Sequence, residues 1–327
     1  MMEHFVEYFE YRGLPAVMET DALAFGEHRI LVRNGIPRFT PDGSYASGNF
    51  SRLREQHPKL QLDSYNRTRD RYQTMIERTN WPPSFFRGKT VLECGCGVGP
   101  DTEVLLSLDA RVVAVDLTGL DTARDNLGYS DNLCMVQADI TDLPFKRMAF
   151  DIVFCHRVLQ HTPDPVHTLN HILQFVRNEG AVFVHSYARN FYQYFTWKYL
   201  LRPVTARMDA KMLYTIIANY APAAFALTSA IARLPKGHVI NHFLIPFRNH
   251  RDHPRLRKLS SEQLIEYGIH DTFDSLSPRY DRPLSAGVMR DTARKMLHMP
   301  FEVVEMPAIT LLRTIVRGNE CREGKDN

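Results

Sequence analysis

At 327 residues the chain can bury a sizeable core and build one large α/β domain with additions, or two modest domains. Hydrophobic content of 44% and charged content of 24% are those of an ordinary globular enzyme, and 40 basic against 37 acidic residues leave +3, too small an excess to signal nucleic acid. Five cysteines (Cys94, Cys96, Cys134, Cys155 and Cys321) include no Cys-x-x-Cys pair, which argues against a zinc site or a disulfide framework and for a reducing cytoplasm. The acidic, aromatic stretch from Met1 to Tyr8 does not read as a signal peptide.

Residues 1–59 read as an N-terminal extension. Short extended segments dominate to about residue 45: Ile30-Leu31-Val32 enters a turn at Arg33-Asn34-Gly35, and the chain leaves it toward Phe39. The pattern resembles small zinc-ribbon modules without their cysteines, so a metal-free remnant is expected. From Leu60 to Thr79 the spacing of Leu62, Tyr65, Tyr72, Met75 and Ile76 predicts an amphipathic helix, capped by Asp63 or Ser64 and ended by Trp81-Pro82-Pro83.

The core is expected over residues 60–186. Strand-like runs at Val91–Glu93, Arg111–Asp116, Leu133–Gln137, Phe150–Cys155 and Ala181–His185 alternate with helical stretches. The helices are placed at Asp101–Leu108, Asp121–Leu127 and Asp164–Val176, the last breaking at Gly180. This is the rhythm of a parallel, doubly wound sheet, and right-handed crossovers should bring Glu93, Asp116, Asp139 and His156 to one edge. After the first strand, Gly95, Gly97 and Gly99 remove the Cβ atoms that would keep the backbone from turning sharply against a ligand.

Taken together, Val91-Leu92-Glu93-Cys94-Gly95-Cys96-Gly97-Val98-Gly99, Asp116, Asp139-Ile140, Leu143-Pro144-Phe145, Phe150-Asp151 and Leu159-Gln160-His161 resemble the motif series of class I S-adenosylmethionine-dependent methyltransferases. The resemblance implies a Rossmann-like, doubly wound seven-stranded sheet that binds S-adenosylmethionine and releases S-adenosylhomocysteine. It places Glu93, Gly95, Cys96, Gly97 and Gly99 at the methionine end, Asp116 with Leu117 on the ribose, and Asp139-Ile140 at the adenine. Arg71 is a candidate partner of the cofactor carboxylate, with a solvated face shared with Arg67 and Arg69 as the equal alternative, and His156 lies near the cofactor edge. The rival dinucleotide fingerprint needs its third glycine one residue later and gives Asp139 no role. Taken singly, Asp116 and Asp139 could each cap a local turn.

Methyl transfer is an in-line displacement from a sulfonium, and a general base is needed only where the acceptor must lose a proton. His161 is the first candidate for that base and His156 the second, with hydrogen bonding of the loop around Pro163 as the structural alternative for His161.

Residues 187–270 read as a helical cap inserted after the fifth strand. Phe191–Leu201 is rich in aromatics, and Met212–Ala232 has no charged residue; two helices breaking near Pro222 are expected rather than a membrane span. Aromatics beside basic residues suit contact with a membrane surface. Residues 271–317 read as an acceptor-side segment followed by two closing strands, at Phe301–Met306 and Thr310–Val316. Asp271–Asp281 resembles a segment of bacterial methyltransferases of glycan, lipid-linked and natural-product pathways, which makes Tyr187, Asp274, Arg279 and Tyr280 candidates for acceptor binding. Residues 318–327 read as a disordered tail.

The sequence therefore predicts a cytoplasmic enzyme, or one peripheral to the inner face of the membrane, that O-methylates a small-molecule, glycan or lipid-linked acceptor without a metal. Modified tRNA, which would require a contiguous basic face, and a non-catalytic cofactor-binding scaffold are the alternatives.

Overall fold

The computed structural model describes residues 2–40, 49–189, 191–256 and 258–316. Its centre is a seven-stranded sheet: β1 (Thr90–Cys94), β2 (Arg111–Asp116), β3 (Leu133–Gln137), β4 (Phe150–His156), β5 (Val176–Tyr187), β6 (Phe301–Glu305) and β7 (Ile309–Thr314). The spatial order is β3-β2-β1-β4-β5-β7-β6, and only β7 runs antiparallel to its neighbours. β1, β2 and β3 are almost wholly buried runs of β-branched and aliphatic residues, as a parallel strand covered on both faces must be. The order reverses between β1 and β4, and there the carboxyl ends of the strands open a crevice.

Eleven α-helices accompany the sheet among the described residues: α1 (Asn49–Gln56), α2 (Asp63–Asn66), α3 (Asp70–Thr79), α4 (Pro100–Ser107), α5 (Leu120–Leu127), α6 (Pro165–Ile172), α7 (Trp197–Thr205), α8 (Ala210–Ile231), α9 (Gly237–Leu244), α10 (Ser261–Leu276) and α11 (Ala286–Met296). The N-terminal extension is β-rich, with strands Val17–Met18, Ala22–Phe25, His28–Arg33 and Ile36–Pro37 forming a small antiparallel sheet. It is packed onto the core: Phe5, Phe9, Leu23 and Phe25 share one apolar cluster with Val153 of β4 and Phe145. No cluster of three metal-ligating side chains occurs among the described residues. The four described cysteines are buried and unpaired; Cys321 lies outside the described residues.

Four local expectations are corrected. The helix over Leu60–Thr79 is two helices, because Arg67 adopts a left-handed conformation (φ 54°) and Asp63 turns forward to accept from the Arg71 and Tyr72 amides, thereby capping α3 and not α2. α6 ends at Ile172 and gives way to a 3-10 turn, while Gly180 sits inside β5, where its pairing with β4 shifts register between Phe150 and Ile152. α8 runs unbroken through Pro222, held by Ala221, Ala224 and Phe225, which pack in one cluster with Leu264 of α10. Asp271–Leu276 is the last stretch of α10, so the cap and the acceptor-side segment are continuous. No helix among the described residues is long and apolar enough to cross a membrane. The proposed tail at 318–327 lies outside the described residues.

Candidate active site

The crevice at the switch point is a cavity of about 500 Å³, within the range that takes a cofactor-sized molecule. One side is built by the turn after β1. Gly95 has φ 88°, and a Cβ there would lie 2.3 Å from Val158 Cγ2, so only glycine admits the close approach of the β1 and β4 turns. Gly95, Cys96 and Gly97 line the cavity, whereas Gly99 precedes α4 outside it, where a Cβ would strike Leu127.

Asp116 ends β2 and faces this turn. Its carboxylate accepts from the Gly97 amide (2.8 Å) and the Thr118 amide (3.1 Å), and both oxygens also receive the Arg54 guanidinium of α1, at 2.9 and 3.0 Å. Arg54 also donates to the Thr118 carbonyl and hydroxyl. Leu117 and Ile140 line the same side, but Asp139 does not: its Oδ1 accepts from the Thr141 amide at 2.9 Å and shapes its own turn. Glu93 is buried behind the turn, with the Thr102 hydroxyl donating to it at 2.6 Å. Burial, then the nearby Asp101 and Asp116 charges, push its carboxyl up to about 8, so it is largely protonated at neutral pH.

Across the switch point, His156 ends β4. Its Nε2 accepts from Arg78 Nη1 at 2.9 Å and its Nδ1 therefore donates to Asp101 at 2.8 Å. Burial, which outweighs Asp101, brings the imidazole down to about 4, leaving the ring neutral with both nitrogens engaged. Burial alone would raise Asp101, but its bond to His156 and the flanking Arg71 and Arg157 keep it well below the usual carboxylate range.

His161, in a 3-10 turn after β4, donates from Nδ1 to the Tyr280 carbonyl at 3.1 Å, a tautomer that puts the lone pair on Nε2. Burial lowers its pKa and keeps it a neutral base at pH 7. Tyr187 packs edge-on against this ring, its hydroxyl 3.5 Å from Asp274, and both line the cavity. The Arg279 and Tyr280 side chains instead line a separate depression with Arg202 and Asp281, so Tyr280 reaches the site through its carbonyl.

The site thus unites Arg71, Gly95, Cys96, Gly97, Asp116, Leu117, Ile140, His156, His161, Tyr187 and Asp274 around one cavity. It adds residues not singled out from sequence: Arg54, Arg78, Asp101, Arg157, His185 and Lys198. Of these, only Asp101 and His185 carry a sequence signal, one at a helix start after the glycine turn and one at a strand's carboxyl end.

Residues 92–184 match the family model of a methyltransferase domain. The core of this chain is similar to a methyltransferase domain. The chain is similar to the ubiquinone biosynthesis O-methyltransferase of Aromatoleum aromaticum, 36% identical over 111 residues that cover 33% of this chain and 47% of that protein. The protein of the same name from Pseudomonas paraeruginosa is 31% identical over 121 residues, 35% of this chain and 51% of that one. The chain thus spans about half the length of the curated relatives it matches. Magnesium protoporphyrin IX methyltransferase from Synechocystis PCC 6803 is a structural neighbour at 22% identity and a TM-score of 0.31, covering 36% of this chain and 59% of that one. Within the matched residues lie the glycine turn, Asp116, His156 and His161; the cap and Arg71 lie outside them.

Proposed function

We propose that the chain is an S-adenosylmethionine-dependent methyltransferase that transfers the methyl group to an oxygen of a small-molecule acceptor. The observation that carries the reading is that the glycine turn and Asp116 open into the same cavity as His161. The residues fit the cofactor: a backbone turn closed to any Cβ, a strand-end carboxylate suited to vicinal hydroxyls, and a buried cation, Arg71, for the methionine carboxylate. Leu117 and Ile140 would flank the adenine, and Asp139 would need to leave its own turn to reach the exocyclic amine. When bound, the cofactor supplies an electrophilic sulfonium methyl group. His161 Nε2 takes the proton of an acceptor hydroxyl, while Tyr187 and Asp274 orient the acceptor. His156, with both nitrogens engaged, positions Arg78 and Asp101. The O-methyltransferase names of the relatives support oxygen as the methylated atom. Calorimetry should give saturable binding of S-adenosylhomocysteine by the wild-type protein; no heat at any concentration up to millimolar overturns the reading.

The acceptor side supports a membrane-proximal reading as well. The aromatic 3-10 turn Phe191–Phe195 packs against α7, and α7 against α9. Their outer faces expose Phe191, Tyr192, Phe195, Leu200, Val204 and Leu244, while their inner residues Thr196, Lys198 and His242 line the cavity. Residues 187–258 carry twelve Lys and Arg against two Asp, so an anionic lipid surface fits this face and an amphiphilic acceptor could enter beneath it. The protein should sediment with vesicles containing phosphatidylglycerol, and Leu200→Ser with Val204→Ser should reduce the bound fraction. Full recovery of wild type in the supernatant removes the membrane from the reading.

A further inference from the structure

Three guanidiniums reach a cavity that Asp101, Asp271 and Asp274 also line. Arg71 and Arg78 come from α3, and Arg157 follows β4 with φ 64°, a left-handed backbone that disfavours any residue but glycine. None of the three forms an ion pair among the described residues, and Arg78 makes its one side-chain bond to a neutral ring, that of His156. Asp101 binds His156 through one oxygen, and its charge acts on the three arginines without forming an ion pair with any of them. Their mutual repulsion is visible in Arg78, which burial first and then Arg157 and Arg71 bring down to about 10.

His185 supplies the second observation. It stands on β5 in register with His156 of β4, the two rings perpendicular with centroids 5.0 Å apart. It is 1% exposed, lines the cavity, and neither ring nitrogen has a hydrogen-bond partner among the described residues. A buried imidazole that lines a cavity with neither nitrogen hydrogen-bonded has a donor and an acceptor to offer a ligand.

Sheet order separates this cluster from the cofactor half. Asp116 is on β2 and the glycine turn on β1, whereas His156 and His185 end β4 and β5, on the other side of the switch point. The geometry points to an anion-binding subsite in the acceptor half, in which Arg78, Arg157 and His185 hold a carboxylate or phosphate group of the acceptor while its hydroxyl faces His161. This rests on the methyltransferase reading for which group is the cofactor, but not for the existence of the subsite. A neutral acceptor would leave Arg78 and Arg157 without a direct ion pair among the described residues, so the site favours acceptors that carry their own negative charge.

The test is calorimetry on the full chain saturated with S-adenosylhomocysteine, titrated at constant ionic strength with inorganic phosphate in one arm and sodium benzoate in the other. Saturable binding in either arm is expected, and the arm that binds assigns phosphate or carboxylate. Arg157→Gln should weaken it at least tenfold, Arg157→Lys less, with the affinity for S-adenosylhomocysteine changed no more than twofold as the control for folding. Absence of binding in both arms, or equal anion affinity in wild type and Arg157→Gln, overturns the subsite. Failure of S-adenosylhomocysteine itself to bind counts against the cofactor reading, and the same anion titration of the free protein then decides the subsite.

Discussion

Asp116→Ala is expected to weaken S-adenosylhomocysteine binding by at least 100-fold. Two charge-assisted hydrogen bonds to a ribose are worth roughly 1.5–3 kcal/mol each, and each 1.4 kcal/mol is a factor of ten. The substitution also frees the Gly97 and Thr118 amides that the carboxylate holds, so the glycine turn loses its anchor to β2. Asp116→Asn keeps the shape and one acceptor oxygen and should fall between alanine and wild type. Calorimetry of the three proteins reads the order directly; an alanine variant within threefold of wild type would show that this carboxylate holds no part of the cofactor.

His161→Ala should lower kcat by roughly 10²–10⁴ with little change in S-adenosylhomocysteine affinity, the range expected when a general base is removed. The pH profile separates this role from a structural one. Burial pulls the His161 pKa below its usual value, so the wild-type rate should be flat at neutral pH and fall only on the acid side, as the ring takes up a proton and ceases to be a base. The alanine variant should lose that acid limb. A variant that keeps the limb and most of kcat would leave His161 as the residue that holds the Tyr280 carbonyl.

The parallel core was legible because its signals are local. Arg111–Asp116 is a run of buried β-branched residues bounded by polar turns, and Gly95 and Gly97 announce a backbone that must turn where no Cβ fits. Pro222 misled because its local cost is overridden by the packing of α8 on α10, which lies some forty residues later in the chain. Asp63 misled in a related way: its residue type is that of a helix cap, but the helix it caps begins seven residues on. Much of the site was illegible for the same reason. Arg54 lies in a short polar helix with no motif, and its pairing with Asp116 exists only because the fold brings residues 62 apart within 2.9 Å. Nothing in a lone histidine on β5 discloses that both its nitrogens are unpaired; that follows from the strands on either side.

The Arg54–Asp116 pair has a kinetic consequence. The guanidinium sits on both Asp116 oxygens, so if this carboxylate takes the ribose as proposed, cofactor loading would begin with an exchange of partners. Arg54 belongs to α1, whose Leu53 packs in one cluster with Leu213 and Ile217 of α8 and Phe273 of α10, and just beyond the helix His57 bonds Tyr214 and Glu266 of the same two helices. A displacement of Arg54 that moved α1 would thus be felt by α8 and α10. Such a linkage favours a compulsory order, donor first and acceptor second, and the departing product would let the arginine fall back and reset the site for the next turnover.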